Sequence, residues 1–258
     1  MIVDDPHLQL RLAIDRTDVL AAQRLRYSVF VEELGGDGAL VDHDIGLERD
    51  DFDDACDHLV LIDDRRDAAV LDHVVGVYRI MRDDQAAAKR GFYSAREYDL
   101  GPLLQSGRRL LELGRSCVHI DYRGGTAMLR LWAGLAQYVR DHEIEILFGV
   151  ASFHGTDPAA FAQALSFLHH HHLAPPDLRV RARADGFARM DLVPVADIDR
   201  PQAMRQTPAL IKAYLRLGGF VGEGAWIDHS FNTTDVCLVM DSARLNARRS
   251  AVYDRSLG

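Results

Sequence analysis

The sequence predicts an α/β fold in which a central mixed β-sheet is flanked by helices. Short segments rich in apolar and β-branched residues alternate along the chain with longer segments whose apolar residues recur at helical spacing. Some of the strand-like segments follow one another through short polar turns, as in hairpins, while others are separated by a helix. In a purely parallel sheet, each strand is joined to the next by a crossover and not by a hairpin turn. The pattern therefore favours a mixed sheet over the parallel sheet of a Rossmann arrangement.

The first half of the chain predicts a strand, a helix and a hairpin. Residues 8–14 alternate between apolar and polar and indicate a strand, after which Thr17 is expected to cap a helix that runs to the glycines at 35–36. An acidic loop follows. Residues 58–63 and 74–81 then indicate two strands around a charged turn, and we expect them to pair antiparallel.

The second half begins with the strand, turn and helix that matter most for function. Residues 108–120 are apolar enough for a central strand, 121–125 form a turn, and 126–142 indicate an amphipathic helix. The remaining predicted elements are a strand at 145–152, a helix with Asp157 as N-cap and Pro158 at its first position, a helical region at 200–219 interrupted near Pro208, and a closing strand at 233–241. We expect one domain over 1–258, with a helical and basic elaboration at about 170–220.

The charge of the chain excludes some classes of function. The 258 residues carry 30 Lys and Arg against 39 Asp and Glu, a net charge of −9, whereas nucleic-acid binding needs a cationic surface. Acidic residues concentrate at 42–67 and basic ones at 178–216, a segment suited to an anionic partner. Three widely spaced cysteines indicate neither a disulfide framework nor a zinc site, and we expect neither a signal peptide nor a membrane span. The expected location is the cytoplasm.

Three features carry candidate chemistry, and each has a structural alternative. Glu112 stands in a strand that otherwise requires apolar residues, so it either forms an ion pair at the strand edge or accepts a proton in a cleft. The glycines of YRGGTAM precede a helix, whose first N–H groups bind anions such as a phosphate, although a plain tight turn also requires glycine. The carboxylates Glu48, Asp50 and Asp53 of the spacing E-x-D-x-F-D suit a cationic substrate, or else a solvated loop.

Several familiar catalytic patterns do not occur in the sequence. The four histidines at 169–172 have no carboxylate or cysteine at ligand spacing, so we expect no metal site. Neither G-x-S-x-G nor the P-loop pattern is found, which argues against the usual hydrolase and NTPase interpretations. Acyl transfer to a substrate amine needs no protein nucleophile and is compatible with this.

Together these residues resemble two related groups of the acetyltransferase-like (GNAT) superfamily. The sequence is similar to the acyl-homoserine-lactone synthases at several places in order along the chain. The matching residues are Arg26 with Val29 and Phe30, then Glu48, Asp50 and Asp53, then Arg79, and finally Glu112 and Arg115.

The second resemblance, to the bacterial L-ornithine Nα-acyltransferase family, is closer and covers nearly the whole chain. The segments that carry it are ELGRSCVHIDYRGGTAMLRLWAGLAQYV, ALSFLHHHHLAPPDLRVRA and LIKAYLRLGGFVGEGAWIDHSFNTTDV, and the last of these is unlike the lactone synthases. The family makes lyso-ornithine lipid from L-ornithine and a 3-hydroxyacyl-acyl carrier protein. The resemblance therefore implies an N-acyltransferase with acyl carrier protein as its partner, a phosphopantetheine thioester as its donor, no permanently bound cofactor, and peripheral contact with the inner membrane.

The resemblance also implies roles for particular residues. Glu112 would act as the catalytic base. The residues expected to bind the substrate, unless they form a self-contained Arg–carboxylate network, are Arg26, Glu48, Asp50, Asp53, Arg79 and Arg115.

Two further groups of residues would serve the acyl donor. Phosphopantetheine is expected at Arg123, Gly124, Gly125 and Thr126, which depart from the R-x-x-G-x-G/A pattern of acetyl-CoA enzymes and suit a single phosphate. Docking of the carrier protein is expected at Arg179, Arg181 and Arg183, unless these residues only form a solvated face. The alternatives that stay open are an acetyl-CoA-dependent N-acetyltransferase, an enzyme similar to the lactone synthases, and a catalytically silent acyl-binding protein.

Overall fold

The computed structural model describes residues 5–89 and 91–244. The strands are β1 (Leu8–Leu12), β2 (Asp57–Asp63), β3 (Val74–Arg82), β4 (Tyr98–Asp99), β5 (Leu110–Val118), β6 (Ile146–His154), β7 (Arg181–Ala182), β8 (Phe187–Ala188), β9 (Phe220–Val221), β10 (Ala225–Asp228) and β11 (Thr233–Asp241). The α-helices are α1 (Arg16–Arg26), α2 (Asp83–Lys89), α3 (Gly101–Leu104), α4 (Ala127–Asp141), α5 (Ala162–His172), α6 (Arg200–Gln206) and α7 (Ala209–Arg216). A π-helix, Tyr27–Glu33, follows α1 directly. No helix among these described residues is long and apolar enough to cross a membrane.

The chain forms two compact units. Of the described residues, the first unit contains 5–89 and 113–143, and the second contains 91–112 and 144–244. Strand β5 runs from the second unit into the first, between Glu112 and Leu113. The single domain expected from the sequence stays a prediction.

The first unit is built on antiparallel strands. β2 pairs with β1 on one side and with β3 on the other, and β3 lies next to β5. The apolar residues of α1, including Ala22 and Leu25, form a buried cluster with strand residues such as Val60 and Val77, because helical spacing places them on one face. Helix α4 approaches the sheet closely at Gly134, where an added Cβ would lie 2.5 Å from Leu10 Cδ2.

The second unit contains a mixed sheet. Leu110–Glu112 of β5 run parallel to Ile146–Phe148 of β6, whereas β11 is antiparallel to β6 along its full length. β11 also pairs with β10 and β9, and β10 pairs with β8. With helices packed on these strands, the predicted α/β class with a mixed sheet is confirmed.

Most predicted elements are present. The exceptions are the N-cap of α1 and the type of helix that Asp157 caps. The antiparallel pairing of β2 with β3, the break at Pro208 between α6 and α7, and the bounds of β11 are as predicted. The cap of α1 is Asp15, whose side chain accepts a hydrogen bond from Asp18 N, and not Thr17, which lies inside the helix. Asp157 does accept from Ala159 N, but it caps a short 3₁₀ turn that precedes α5.

Candidate active site

Six side chains of the first unit form a closed ring of ion pairs in which arginine and carboxylate alternate. Arg26 is the last residue of α1, Arg79 lies on β3 and Arg115 on β5, while the carboxylates come from the loop between the π-helix and β2. The contacts in order are Arg26 Nε to Glu48, Glu48 to Arg115 Nε (3.1 Å), Arg115 Nη2 to Asp50 (3.1 Å), Asp50 to Arg79 Nη1 (2.5 Å), Arg79 Nη1 to Asp53 (2.9 Å) and Asp53 to Arg26 Nη1 (2.7 Å). All six substrate-binding residues expected from the sequence are therefore brought together.

The ring is buried and its charges compensate one another. Arg26 is 0% exposed and Glu48 is 1% exposed, whereas Asp50 and Arg115 are somewhat more accessible. Burial alone would raise the pKa of Asp53, but the charges of Arg26 and Arg79 outweigh it and lower that pKa well below its ordinary value. A buried ion must be paired to be tolerated, and here each carboxylate contacts two arginines.

Glu112 lies in the second unit and is held by backbone donors. Its carboxylate accepts hydrogen bonds from Tyr93 N (2.9 Å) and Ser94 N (2.6 Å), one on each oxygen. These N–H groups belong to the start of a 3₁₀ helix, Tyr93–Arg96, where the first donors have no partner within the helix. The side chain is buried and fixed, on the last residue of β5 that is paired with β6.

The turn before α4 contains a glycine in a left-handed backbone conformation. Gly124 has φ +76°, a left-handed conformation that side-chain-bearing residues rarely adopt. Thr126 is the N-cap residue of α4, but its side chain accepts no hydrogen bond from the first backbone N–H groups of the helix. Arg123 is held by Val118 O (2.9 Å) and by an ion pair with Glu33 (2.8 Å).

The three arginines near β7 alternate with buried residues. Arg181 and Arg183 are exposed and Arg179 is half-buried, while Val180 and Ala182 between them are buried. Each guanidinium also has a local contact: Arg179 donates to Ala174 O, Arg181 pairs with Glu223, and Arg183 donates to Ala95 O. The alternation of an extended chain places the three side chains along one side.

A third acidic group was missed by the sequence analysis. The carboxylates of Glu97, Asp228 and Asp235 are all buried, and one oxygen of each lies within 4.8 Å of the others. Asp235 directly precedes the apolar run 236–240 of the closing strand, which is the one signal that the sequence offered.

Comparison with known proteins identifies the fold. The acetyltransferase (GNAT) domain family matches residues 25–133. The structure is similar to that of FeeM, an N-acyl amino acid synthase from uncultured soil microbes, with a TM-score of 0.54, 11% identity and coverage of 92% of this chain and 91% of that one. It is also similar to BjaI, a CoA-dependent acyl-homoserine lactone synthase, with a TM-score of 0.53, 16% identity and coverage of 96% and 89%. The fold is that of the GNAT-type acyltransferases.

Sequence relatives define the family within that class. The L-ornithine N(alpha)-acyltransferase of Rhodobacter capsulatus is 61% identical over 96% of this chain and 95% of its own length. The enzyme of the same description from Brucella abortus is 44% identical, with coverage of 95% and 88%. The chain therefore belongs to the L-ornithine N(alpha)-acyltransferase family and is an acyltransferase.

Proposed function

We propose that this protein transfers a 3-hydroxy fatty acyl group from an acyl carrier protein thioester to the α-amino group of L-ornithine, giving lyso-ornithine lipid. The observation that carries the proposal is the 61% identity to an L-ornithine N(alpha)-acyltransferase over 96% of the chain. Two homologous proteins of that identity and coverage usually share their reaction, and the fold is one that acyltransferases use.

The reaction requires a neutral amine beside the thioester carbonyl. The α-ammonium group first gives one proton to a base, and the amine nitrogen then attacks the carbonyl carbon. The C–N bond forms as the C–S bond breaks, and the nitrogen loses its second proton, which the departing thiolate takes up to become the carrier thiol. The first proton passes from the base to solvent. We propose Glu112 as the base, acting directly or through water, because two backbone donors fix its carboxylate. Backbone N–H groups of the neighbouring strand are proposed to stabilise the oxyanion.

The proposal also specifies the acyl donor, which is an acyl carrier protein. A carrier protein presents one phosphodiester on its phosphopantetheine arm, and the N-terminus of α4 with Arg123, Gly124, Gly125 and Thr126 suits a single anionic group. Carrier proteins are acidic, and the exposed Arg181 and Arg183, with Arg179 beside them, are proposed as their docking surface. The product is a membrane lipid precursor, so we place the reaction in the cytoplasm beside the inner membrane.

The ring of the first unit is proposed to contribute to substrate binding as well as to structure. Asp50 and Arg115 are its most accessible members, and a carboxylate and a guanidinium are the groups that pair with the ammonium and the carboxylate of an amino acid. The other four side chains would then hold these two in place.

The experiment is a reconstitution with defined donors and acceptors. The purified protein is mixed with L-ornithine and either 3-hydroxyacyl carrier protein, the same acyl group on CoA, or acetyl-CoA, and the lipid products are weighed by mass spectrometry. We expect lyso-ornithine lipid with the carrier-protein donor. Transfer from acetyl-CoA alone, or product only with S-adenosylmethionine as acceptor, would contradict the proposal.

A further inference from the structure

One face of the sheet in the second unit carries a line of polar residues. Glu112 is directly opposite Phe148, and along β6 the residues 148, 150 and 152 share a face because side chains alternate. Ser152 is directly opposite Asp235 on β11, so Glu112, Ser152 and Asp235 all lie on this face. Ser152 is exposed, which means that solvent and small solutes reach the face beside Asp235.

Glu97, Asp228 and Asp235, which we call the acidic triad, lie together in this unit. Glu97 follows the 3₁₀ helix whose N–H groups hold Glu112, Asp228 ends β10, and Asp235 lies on β11. Their carboxylate oxygens approach within 4.8 Å of one another. The turn after β10 fixes Asp228, since Asp228 Oδ1 accepts from Ser230 N (2.7 Å) and Phe231 N (3.1 Å). The triad is therefore assembled from three separate elements.

Three carboxylates at this separation in a buried place repel one another, so a cation or a shared proton lowers their energy. The negative potential extends to neighbouring groups. Burial, and then the charges of Cys237, Glu97 and Asp235, raise the pKa of Tyr98 well above its ordinary value. Burial, followed by the charges of Glu112 and Glu97, likewise raises the pKa of the Cys237 thiol. The surroundings of the triad thus favour a positively charged occupant.

Two buried hydroxyl groups point independently to a ligand. Thr233 is 9% exposed and stands directly opposite Asp228, on the same face of β11 as Asp235 two residues further on. Ser94 is 1% exposed and lies in the 3₁₀ helix that Glu97 follows. Within residues 5–89 and 91–244, neither Ser94 Oγ nor Thr233 Oγ1 has a hydrogen-bond partner. Buried hydroxyls are seldom left in this state, and a polar ligand held by the triad would satisfy Thr233, which stands directly opposite Asp228.

We propose that the acidic triad is the pocket for the side-chain ammonium group of the amino-acid acceptor, an inference that rests on the proposed function. An ammonium group has three N–H donors, one for each carboxylate, and a compact charge that a planar guanidinium or a neutral amide does not match. The same 3₁₀ helix also connects the triad with the proposed base, because Ser94 N in the helix donates to Glu112 and Glu97 follows the last residue of the helix.

The test compares two acceptors that differ only in the side-chain ammonium group. L-Norvaline has the carbon skeleton of ornithine without that ammonium group, so the ratio of kcat/KM for ornithine to kcat/KM for norvaline reports on the pocket. In Asp235→Asn and Glu97→Gln we expect this ratio to fall about 10- to 100-fold, as expected for loss of a hydrogen bond between charged groups. The fall should arise from a raised KM for ornithine, with kcat/KM for norvaline unchanged.

The control is Asp241→Asn, which removes a buried carboxylate of the same strand that pairs with Arg108 and lies outside the triad. It should lower stability and leave the acceptor ratio as in wild type. A ratio unchanged in both triad variants, while wild type acylates ornithine, would overturn the inference and leave the proposed function standing. Loss of wild-type activity on chelation, with recovery on adding a divalent metal, would also overturn it, because the triad would then hold a metal ion. Wild-type protein that acylates neither amino acid would instead refute the proposed function, and this inference with it.

Discussion

Replacing Glu48 by glutamine tests whether the ring of ion pairs supports the fold of the first unit. Glu48 accepts from Arg26 on one carboxylate oxygen and from Arg115 on the other. Glutamine has nearly the same shape, but its amide N–H₂ would face one of the guanidinium groups, donor against donor. The variant also leaves three arginines with two carboxylates, so a net positive charge is buried.

The magnitude follows from this uncompensated charge. Removing one partner of a buried ion pair costs about 3–5 kcal/mol, and Arg26 is fully buried with no route to solvent. For a chain of this size, 1 kcal/mol corresponds to roughly 2–4 °C, so we expect the melting temperature to fall by about 6–20 °C. An exposed ion pair makes a matched comparison. Arg49→Gln removes the contact with Asp42 (3.0 Å), and we expect a loss of at most about 1 kcal/mol.

The measurement is thermal and urea unfolding followed by circular dichroism, for wild type, Glu48→Gln and Arg49→Gln in the same buffer. The reasoning is refuted if Glu48→Gln unfolds at the same temperature as Arg49→Gln. In that case the ring would not be a stabilising element, and its carboxylates would be held for the substrate alone. A large loss of stability together with a raised KM for ornithine would support both roles of the ring.

Further predictions concern catalysis, pH and donor docking. Glu112→Gln should lower turnover about 10²–10⁴-fold, together with a loss of stability because its amide N–H₂ would face Tyr93 N or Ser94 N, and full activity would remove Glu112 as the base. Because the folded-state pKa of Asp53 is lowered, its contribution to stability is complete above its ordinary pKa of 3.8, declines as the pH falls below that value, and is lost once the pH has fallen through the lowered folded-state pKa. The urea midpoint of unfolding should therefore be lower below pH 3.8 than above it, and a midpoint that stays constant would contradict the prediction. The double variant Arg181→Glu, Arg183→Glu should bind the acyl carrier protein more weakly than wild type does. If the affinity of the wild-type protein for the carrier does not change with salt concentration, the docking surface is excluded.

The sequence was sufficient for the class of fold because most of its elements carry strong local signals. The apolar run 236–240 identifies β11 without help from its neighbours, and Pro208 cannot continue a helix, so these features were predicted where they lie. The start of α1 was not, since Asp15 and Thr17 are both good caps and only the tertiary position of Asp15 decides between them. The π-helix after Arg26 also has no reliable local signal.

The residues of the ring were predicted from the sequence, whereas their individual contacts and the acidic triad were not. The members of the ring were found through the resemblance to the acetyltransferase-like families, which matches them in short segments along the chain. Which arginine contacts which carboxylate depends on the packing of β3, β5 and the loop before β2, and spacing does not encode it. The acidic triad was missed because Glu97 lies 131 residues before Asp228, and only the pairing of β10 with β11 brings Asp228 and Asp235 together.

The backbone conformation of Arg115 affects which residues are favoured at this position in related sequences. Its φ of +50° belongs to the left-handed region, where glycine is favoured and an arginine carries a conformational penalty. Arginine is therefore an unfavourable residue for the backbone at this position, and its contacts with Glu48 and Asp50 offset the penalty. If those carboxylates were lost in a descendant sequence, glycine at 115 would become the more stable choice. We expect substitutions at 48, 50 and 115 to occur together in diverged lineages, and a survey of such lineages would reveal whether they do.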